Sequence, residues 1–346
     1  MDSRVVNKGQ LPELLDKLAR DHILVAPVRE EENITLFKRV SGASEVQLDY
    51  ITSDVSPKGW IFPQTEKTLS YTYTGDTLEM KEPDAPPKTI LFGVRPCDVR
   101  SILALDPVFE GKFLDPFYLE RRKNTVIIGL SCKTILSTCF CTAFNSGPCD
   151  GTGADLMFTE LGDKYYVEVN TEKGKSLVEA YSQYFLKEDT EKLAKAKEEQ
   201  AKKLEGQFTR KVDLDGVKKV LDENFELPYW EKVFRKCLGC GICTYVCPTC
   251  HCFDIFDYTT GEFTGNRFRC WDSCMFPDFT LMAGGHNPRP SRKERVRNRF
   301  MHKLKYHMDR YNLDGCVGCG RCIAKCPVNI DITQIIKDLK EVGQNA

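Results

Sequence analysis

Apolar residues recur along this chain with two different periods, and the changes of period mark its elements. Leu11–Ala19 (L-P-E-L-L-D-K-L-A) has helical spacing, with Pro12 near its start. Short strand-like pieces follow at Ile23–Val28, Ile34–Val40 and Val46–Ile51. Ser56–Leu69 holds two prolines and a glycine and reads as a loop before a strand at Leu69–Thr74. Thr89–Val94 (T-I-L-F-G-V) and Thr125–Leu130 (T-V-I-I-G-L) are continuous apolar runs of the kind that parallel strands buried on both faces require. Cys97–Leu105 between them reads as helix, so the stretch is a βαβ unit whose two strands lie side by side. Strands at Leu156–Thr159 and Tyr165–Val169 and a helix from Lys175 to Tyr184 complete this half. Lys187–Lys203 is rich in Lys, Glu and Ala with few apolar positions, an exposed helix carrying i,i+4 charge pairs. Near the end, Ile332, Ile335, Ile336 and Leu339 put a helix over Ile330–Lys340. The pattern predicts an α/β (α+β) domain with a mainly parallel sheet over residues 1–185, a charged helical linker over 186–207, and a second, helical domain over 208–346.

Two copies of one cysteine pattern dominate the second domain. Cys237–Pro248 reads C-L-G-C-G-I-C-T-Y-V-C-P and Cys316–Pro327 reads C-V-G-C-G-R-C-I-A-K-C-P. Both follow C-x2-C-x2-C-x3-C-P, the run that holds a cubane iron–sulfur cluster, whose fourth cysteine ligates the other cluster where there are two. One [4Fe-4S] cluster is therefore assigned to Cys237, Cys240, Cys243 and Cys326. A second is assigned to Cys316, Cys319, Cys322 and Cys247. Zinc also takes four cysteines, but it brings them in pairs and has no need of the third at x2. The runs stand far apart, Cys247 and Cys316 being separated by 69 positions, so the domain is a helical dicluster fold with an insertion between its halves.

The buried strands of the first domain each deliver a thiol. Cys97 lies just beyond Val94 and Cys132 just beyond Leu130. Ligands of such sheets gather at the carboxyl ends of the strands, so these two emerge together, and the following loop adds Cys139 and Cys141. Four thiols at one sheet edge predict a third [4Fe-4S] cluster, against the alternative of buried free cysteines. Cys149, in a Gly-rich loop with no strand end behind it, ranks below the four. In the insertion, Cys250, Cys252, Cys270 and Cys274 match no ligand spacing and read as neighbours that tune the two clusters or hold a fourth. Cys247–His251 imitates the C-x-x-C-H of covalent haem, but Cys247 is already taken as a cluster ligand. Neither haem nor bound flavin is expected.

The chain of 346 residues carries a net charge of −1, which points to neither nucleic acid nor a membrane surface. No apolar run approaches the roughly 20 residues of a membrane span. The opening residues lack a signal-peptide pattern, so the seventeen cysteines are expected as metal thiolates in a reducing, anaerobic cytoplasm rather than as disulfides. The charge is uneven: from Glu226 onward 18 Lys and Arg face 13 Asp and Glu, and the remainder has 31 against 37. Arg289–Arg310 alone has nine basic residues against two acids, which suits either packing near anionic clusters or docking an acidic partner. There is no G-x-G-x-x-G after a strand and no P-loop, so no nucleotide fingerprint. The five histidines form no metal pattern. Several one-electron centres with no substrate site read as a wire between other subunits.

The segments R-P-C-D (Arg95–Asp98), T-C-F-C (Thr138–Cys141), S-P-K (Ser56–Lys58), C-P-T-C-x-C (Cys247–Cys252), A-G-G-H (Ala283–His286) and C-V-G-C-G-R-C (Cys316–Cys322) occur together along nearly the whole chain. Their combination resembles the iron–sulfur β subunits of cytoplasmic NiFe sulfhydrogenases. It is similar also to the iron–sulfur subunit of anaerobic sulfite reductase and to subunits of flavin oxidoreductase–heterodisulfide reductase complexes. The resemblance implies an FAD-bearing partner that exchanges hydride with NAD(P)H. It also implies a terminal catalytic subunit of hydrogenase, sulfite or sulfur reductase, or heterodisulfide reductase type. It supports pairing Cys97 and Cys132 with Cys139 and Cys141, while Cys149 and Cys270 look peculiar to this chain. The competing expectation is a self-sufficient reductase acting on a sulfur or disulfide substrate at the Cys97/Cys132 site.

Overall fold

A computed structural model describes residues 2–188 and 190–344. Its strands are β1 (Asp2–Asn7), β2 (Ile23–Glu31), β3 (Ile34–Arg39), β4 (Thr65–Thr74), β5 (Thr77–Lys81), β6 (Thr89–Val94), β7 (Thr125–Leu130), β8 (Leu156–Leu161), β9 (Lys164–Val169), β10 (Phe253–Gly261) and β11 (Thr264–Trp271). Its α-helices are α1 (Leu11–Asp21), α2 (Pro96–Phe109), α3 (Pro116–Asn124), α4 (Glu172–Ala180), α5 (Thr190–Glu205), α6 (Val217–Glu223), α7 (Tyr229–Lys236), α8 (Ile242–Tyr245), α9 (Arg292–Met301), α10 (His307–Tyr311), α11 (Arg321–Ala324) and α12 (Ile332–Gln344). None of the described helices is long and apolar enough to cross a membrane.

Seven strands form one sheet in the order β1-β9-β8-β7-β6-β2-β3. The expectation of a mainly parallel sheet is corrected to a mixed one. Strands β2, β6, β7 and β8 run parallel at its centre, and β3, β9 and β1 pair antiparallel at its edges. The reason is local, because two-residue links (Glu32-Asn33, and Gly162-Asp163 with Gly162 at φ 70°) reverse the chain too tightly for a parallel crossover. The central strands bury both faces. Ile90, Phe92 and Ile128 pack with Leu14 and Leu18 of α1, while Leu91 and Ile127 pack with Val99, Ile102 and Leu105 of α2. No strand forms at Val46–Ile51. The edges of β2 are already taken by β6 and β3, and the segment crosses instead to bury Tyr50, whose hydroxyl donates to the Gly93 carbonyl at 2.6 Å.

The charged helix exists as α5, and it is not free. It lies against β1, β8 and β9, buries Leu204, and pairs Lys197 with Glu168 at 2.5 Å. The second half has its own core, in which Trp230, Val296, Phe300, Ile336 and Leu339 come from α7, α9 and α12. The insertion between the cysteine runs contains the hairpin β10–β11, which joins β4–β5 in a second sheet ordered β10-β11-β4-β5. The first strand of that pairing starts at Thr65, inside the stretch read as loop.

A buried ionic cluster pins this shared sheet to the βαβ crossover. Arg269 on β11 pairs with Glu66 on β4 and with Asp115, the N-cap of α3, while Arg121 of α3 reaches Glu66 at 2.5 Å. Phe62, Phe109 and Phe253 surround the Arg269 guanidinium at 5.1, 5.7 and 5.4 Å. Removing one member of a buried set leaves the others unpaired. Arg269→Ala is expected to cost about 3–5 kcal/mol in chemical denaturation; a change under about 1 kcal/mol would mean the set is solvated like a surface pair.

Candidate metal centre

Helix α7 ends at Lys236 with Cys237 as its C-cap, and the chain then wraps through α8. The second run does the same around α11, and α8 packs on α11. Gly239 and Gly241 sit at φ 73° and 77°, and Gly318 and Gly320 at 63° and 76°. That left-handed backbone is open to glycine and strained for other residues. It turns amide N–H groups toward the thiols, with Gly239 to Cys237 Sγ at 3.4 Å and Gly318 to Cys316 Sγ at 3.5 Å. The Ile330 N–H donates to Cys326 Sγ at 3.2 Å.

Two cavities result. One, about 570 Å³ with its mouth, is lined by Cys237, Cys240, Cys243 and Cys326 together with Val296 and Phe300. The other, about 340 Å³, is lined by Cys247, Cys316, Cys319 and Cys322. The fourth thiol of each run thus lines the cavity of the other run; Cys322 also reaches the first cavity. Among the described residues, no three Cys, His, Asp or Glu side chains are arranged to hold a single metal ion. Thiols spread around an apolar cavity suit a multinuclear cluster better than one ion, so the donor set fits the [4Fe-4S] reading.

The first domain brings its thiols to the same place. Arg95, almost fully buried, donates to the carbonyls of Ile51 (3.1 Å), Leu130 (3.3 Å) and Ser131 (2.7 Å) and to that of Tyr50, which locks the ends of β6 and β7 together. Cys97 lies close enough to Cys132 for each to influence the other's protonation, and Cys141 lies likewise near Cys132, Cys139 and Cys319. The loop that carries Cys139 and Cys141 lies on the second run. The Phe140 N–H donates to the Gly318 carbonyl at 2.9 Å, and a Cβ on Gly318 or Gly320 would stand 2.4–2.5 Å from backbone atoms of this loop. Cys149 is buried near Cys132, but its thiol bonds Ser131 and lines a separate cavity beside α5.

Burial drives these thiols toward the protonated form. Cys97 is pushed well up by burial and then by Asp98 and Cys319; burial takes Cys132 to about 12, Cys316 to about 12 and Cys319 to about 11. Cys139, Cys141, Cys237, Cys243 and Cys322 are also raised, burial being the main cause. Cation binding must displace these protons, so loading of the site is coupled to proton release.

Three buried cations face the thiols, and none pairs with a carboxylate among the described residues. Arg299 Nη1 lies 3.6 Å from Cys250 Sγ, and Lys303 donates to Thr249 Oγ1 at 2.7 Å. Lys58 donates to the carbonyls of Cys247 (2.8 Å) and Cys250 (2.6 Å) and lies 4.1 Å over the Trp271 ring. Four of the nine basic residues of the run, Arg295, Arg297, Arg299 and Lys303, are buried, and the others stay partly or fully exposed. Sequence reasoning left the run undivided between packing and docking. What separates them is non-local: Arg299 and Lys303 turn toward Cys250 and Thr249, which come from another segment of the chain. Lys58 and Arg321 went unnoticed as charges, although S-P-K and C-V-G-C-G-R-C contain them.

A sheet that delivers thiols to a two-run cysteine core, with cations buried beside them, defines an iron–sulfur electron-transfer subunit. Residues 236–330 match the family of 4Fe-4S dicluster domains. The chain is 34% identical over 330 residues to sulfhydrogenase 2 subunit beta of Pyrococcus furiosus, covering 95% of this chain and 96% of that protein. It belongs to that β-subunit family. No solved structure matches it.

The crossed cavities make a testable distinction. Cys326→Ser is expected to alter the electron paramagnetic resonance signal of the centre at Cys237, Cys240 and Cys243 while leaving the signal of its own run. Loss of the Cys316-run signal instead would contradict the crossed ligation.

Proposed function

We propose that this chain relays electrons within a soluble oxidoreductase complex, between a partner that binds FAD and NAD(P)H and a terminal catalytic subunit. Eight cysteines (Cys237, Cys240, Cys243, Cys326; Cys316, Cys319, Cys322, Cys247) hold two [4Fe-4S] clusters, and Cys97, Cys132, Cys139 and Cys141 hold a third. Bound clusters supply reversible one-electron chemistry. The observation that carries the reading is the seating of the Thr138–Cys141 backbone on Gly318 and Gly320, which brings the first-domain thiols against the second run. A relay needs such proximity, and a self-sufficient reductase does not. Four thiolates also close the third site to substrate. The name of the Pyrococcus relative, a subunit of a sulfhydrogenase, supports membership of a multisubunit enzyme, with the family's hydrogen, sulfite, sulfur and disulfide reactions as the candidate terminal chemistries.

The chain's own groups set the conditions for transfer. Arg299 lines both ferredoxin-type cavities, so its charge favours the added electron on either side. Positive charge and N–H donors beside thiolates raise a cluster's reduction potential. The chain divides into an α/β domain over residues 1–185 and a cluster domain over 208–346, with α5 as the element between the two halves.

Iron and acid-labile sulfide on anaerobically purified protein test the reading. About 12 iron per chain, falling to about 8 in Cys97→Ser, follows from three four-iron clusters. About 8 in both would reduce the first domain to a docking platform. Turnover of sulfite or a disulfide by the isolated wild-type chain would favour the reductase instead.

A further inference from the structure

Hairpin β10–β11 leaves the dicluster core and returns to it at one point. Its antiparallel register pairs Phe253 with Trp271, and the Asp272 N–H donates to the Cys252 carbonyl at 3.0 Å. Cys252 and Cys274 therefore stand on opposite legs of the hairpin base. Both line a cavity of about 940 Å³, open to solvent, that also holds Cys250. The two thiols stand close enough to shift one another's protonation, and all seventeen cysteines are free. Neither residue belongs to the cluster sets above.

The surroundings favour thiolate. Arg289, Arg299, Lys303 and Arg310 line the same cavity, and no carboxylate does. Cys252 is held below the usual thiol range, first by Cys274 beside it and then by Lys303 and Lys58, while Cys274 is pushed above it. One low and one high partner close together, beside cations, is the arrangement of an attacking and a resolving thiol. The pair also adjoins the clusters: Cys274 neighbours Cys250, whose thiol contacts Cys247. The cavity gives protons a way out.

We propose that Cys252 and Cys274 form a redox-active dithiol that converts to a disulfide and back in step with the iron–sulfur relay. In the oxidation an Sγ–Sγ bond forms and two thiol protons leave to water through the cavity. Two electrons leave with them, taken one each by the two [4Fe-4S] clusters of the ferredoxin-type runs; reduction reverses every step. The disulfide between them would close at ~2.05 Å. The pair would let a chain of one-electron centres hold two electrons from a hydride donor. This step rests on the proposed relay, since those clusters are its electron acceptors.

The test equilibrates the iron-loaded full chain, anaerobically, in dithiothreitol buffers stepped from reducing to oxidising. Each sample is alkylated, digested without reductant and mapped by mass spectrometry, with iron counted in parallel. A peptide linking Cys252 to Cys274 should rise on oxidation and disappear on reduction at constant iron. It should be absent in Cys274→Ser and retained in Cys270→Ser, whose thiol is 3.6 Å from the Thr65 hydroxyl rather than in a thiol pair. Two results overturn the proposal: both thiols alkylated in every buffer, or iron falling by about four per chain in Cys274→Ser, which would make Cys274 a ligand of a four-iron cluster. A reversible linked peptide on a chain that holds no iron even in wild type would overturn the coupling to the relay, and with it the relay itself.

Discussion

The structure depends on one buried ion pair. Arg321, from the second cysteine run, donates to both oxygens of Asp98 at 2.7 and 2.6 Å and to the Ser53 carbonyl at 2.7 Å, with 2% or less of either charged side chain exposed. A pair this deep is tolerated because each guanidinium nitrogen has an acceptor, and it would be costly to break. Its consequence is positional. Asp98 follows Cys97, and Arg321 lies between Cys319 and Cys322, so the bidentate contact holds the thiols of the sheet edge beside those of the dicluster core. The guanidinium also counters the negative charge that neighbouring thiolates bring, lowering the proton affinity of both Cys97 and Cys319.

Arg299 and Lys303 extend the same logic into the core. Burying unpaired cations is unfavourable, and cluster ligation, which makes thiolates of Cys243, Cys322 and Cys247 beside Arg299, would offset it. Within a basic run whose other members are largely exposed or bonded elsewhere, Arg299 and Lys303 thereby act as an internal counter-charge. Lys58, sent across from the first domain, caps the Cys247–Cys250 turn by donating to both of its carbonyls. The two halves are thus joined by electrostatics as well as by the sheet that β4 and β11 share.

Much of this was legible in the sequence, for physical reasons that differ by element. Ferredoxin-type spacing is local, so the positions of the eight core thiols followed from it directly. The apolar runs at Thr89–Val94 and Thr125–Leu130 announced parallel strands, and the rule that parallel strands gather ligands at their carboxyl ends brought Cys97 and Cys132 together. What stayed hidden is non-local. Strand β4 finds β11 far along the chain, through residues such as Thr65–Lys67 that a local reading assigns to a loop. Val46–Ile51 has strand-forming residues but no vacant sheet edge. The inward turn of Arg299 and Lys303 depends on thiols that come from other segments, and no helical period reveals that.

The central claim is that the three thiol sets form one continuous relay, and magnetic coupling reports it most directly. Electron paramagnetic resonance on the loaded full chain, reduced first partially and then completely, compares each centre alone with all of them together. Contact between the sets predicts separate signals at partial reduction that broaden and split into an interaction spectrum when every centre is reduced. Signals that simply add, with unchanged shape at full reduction, would contradict the account.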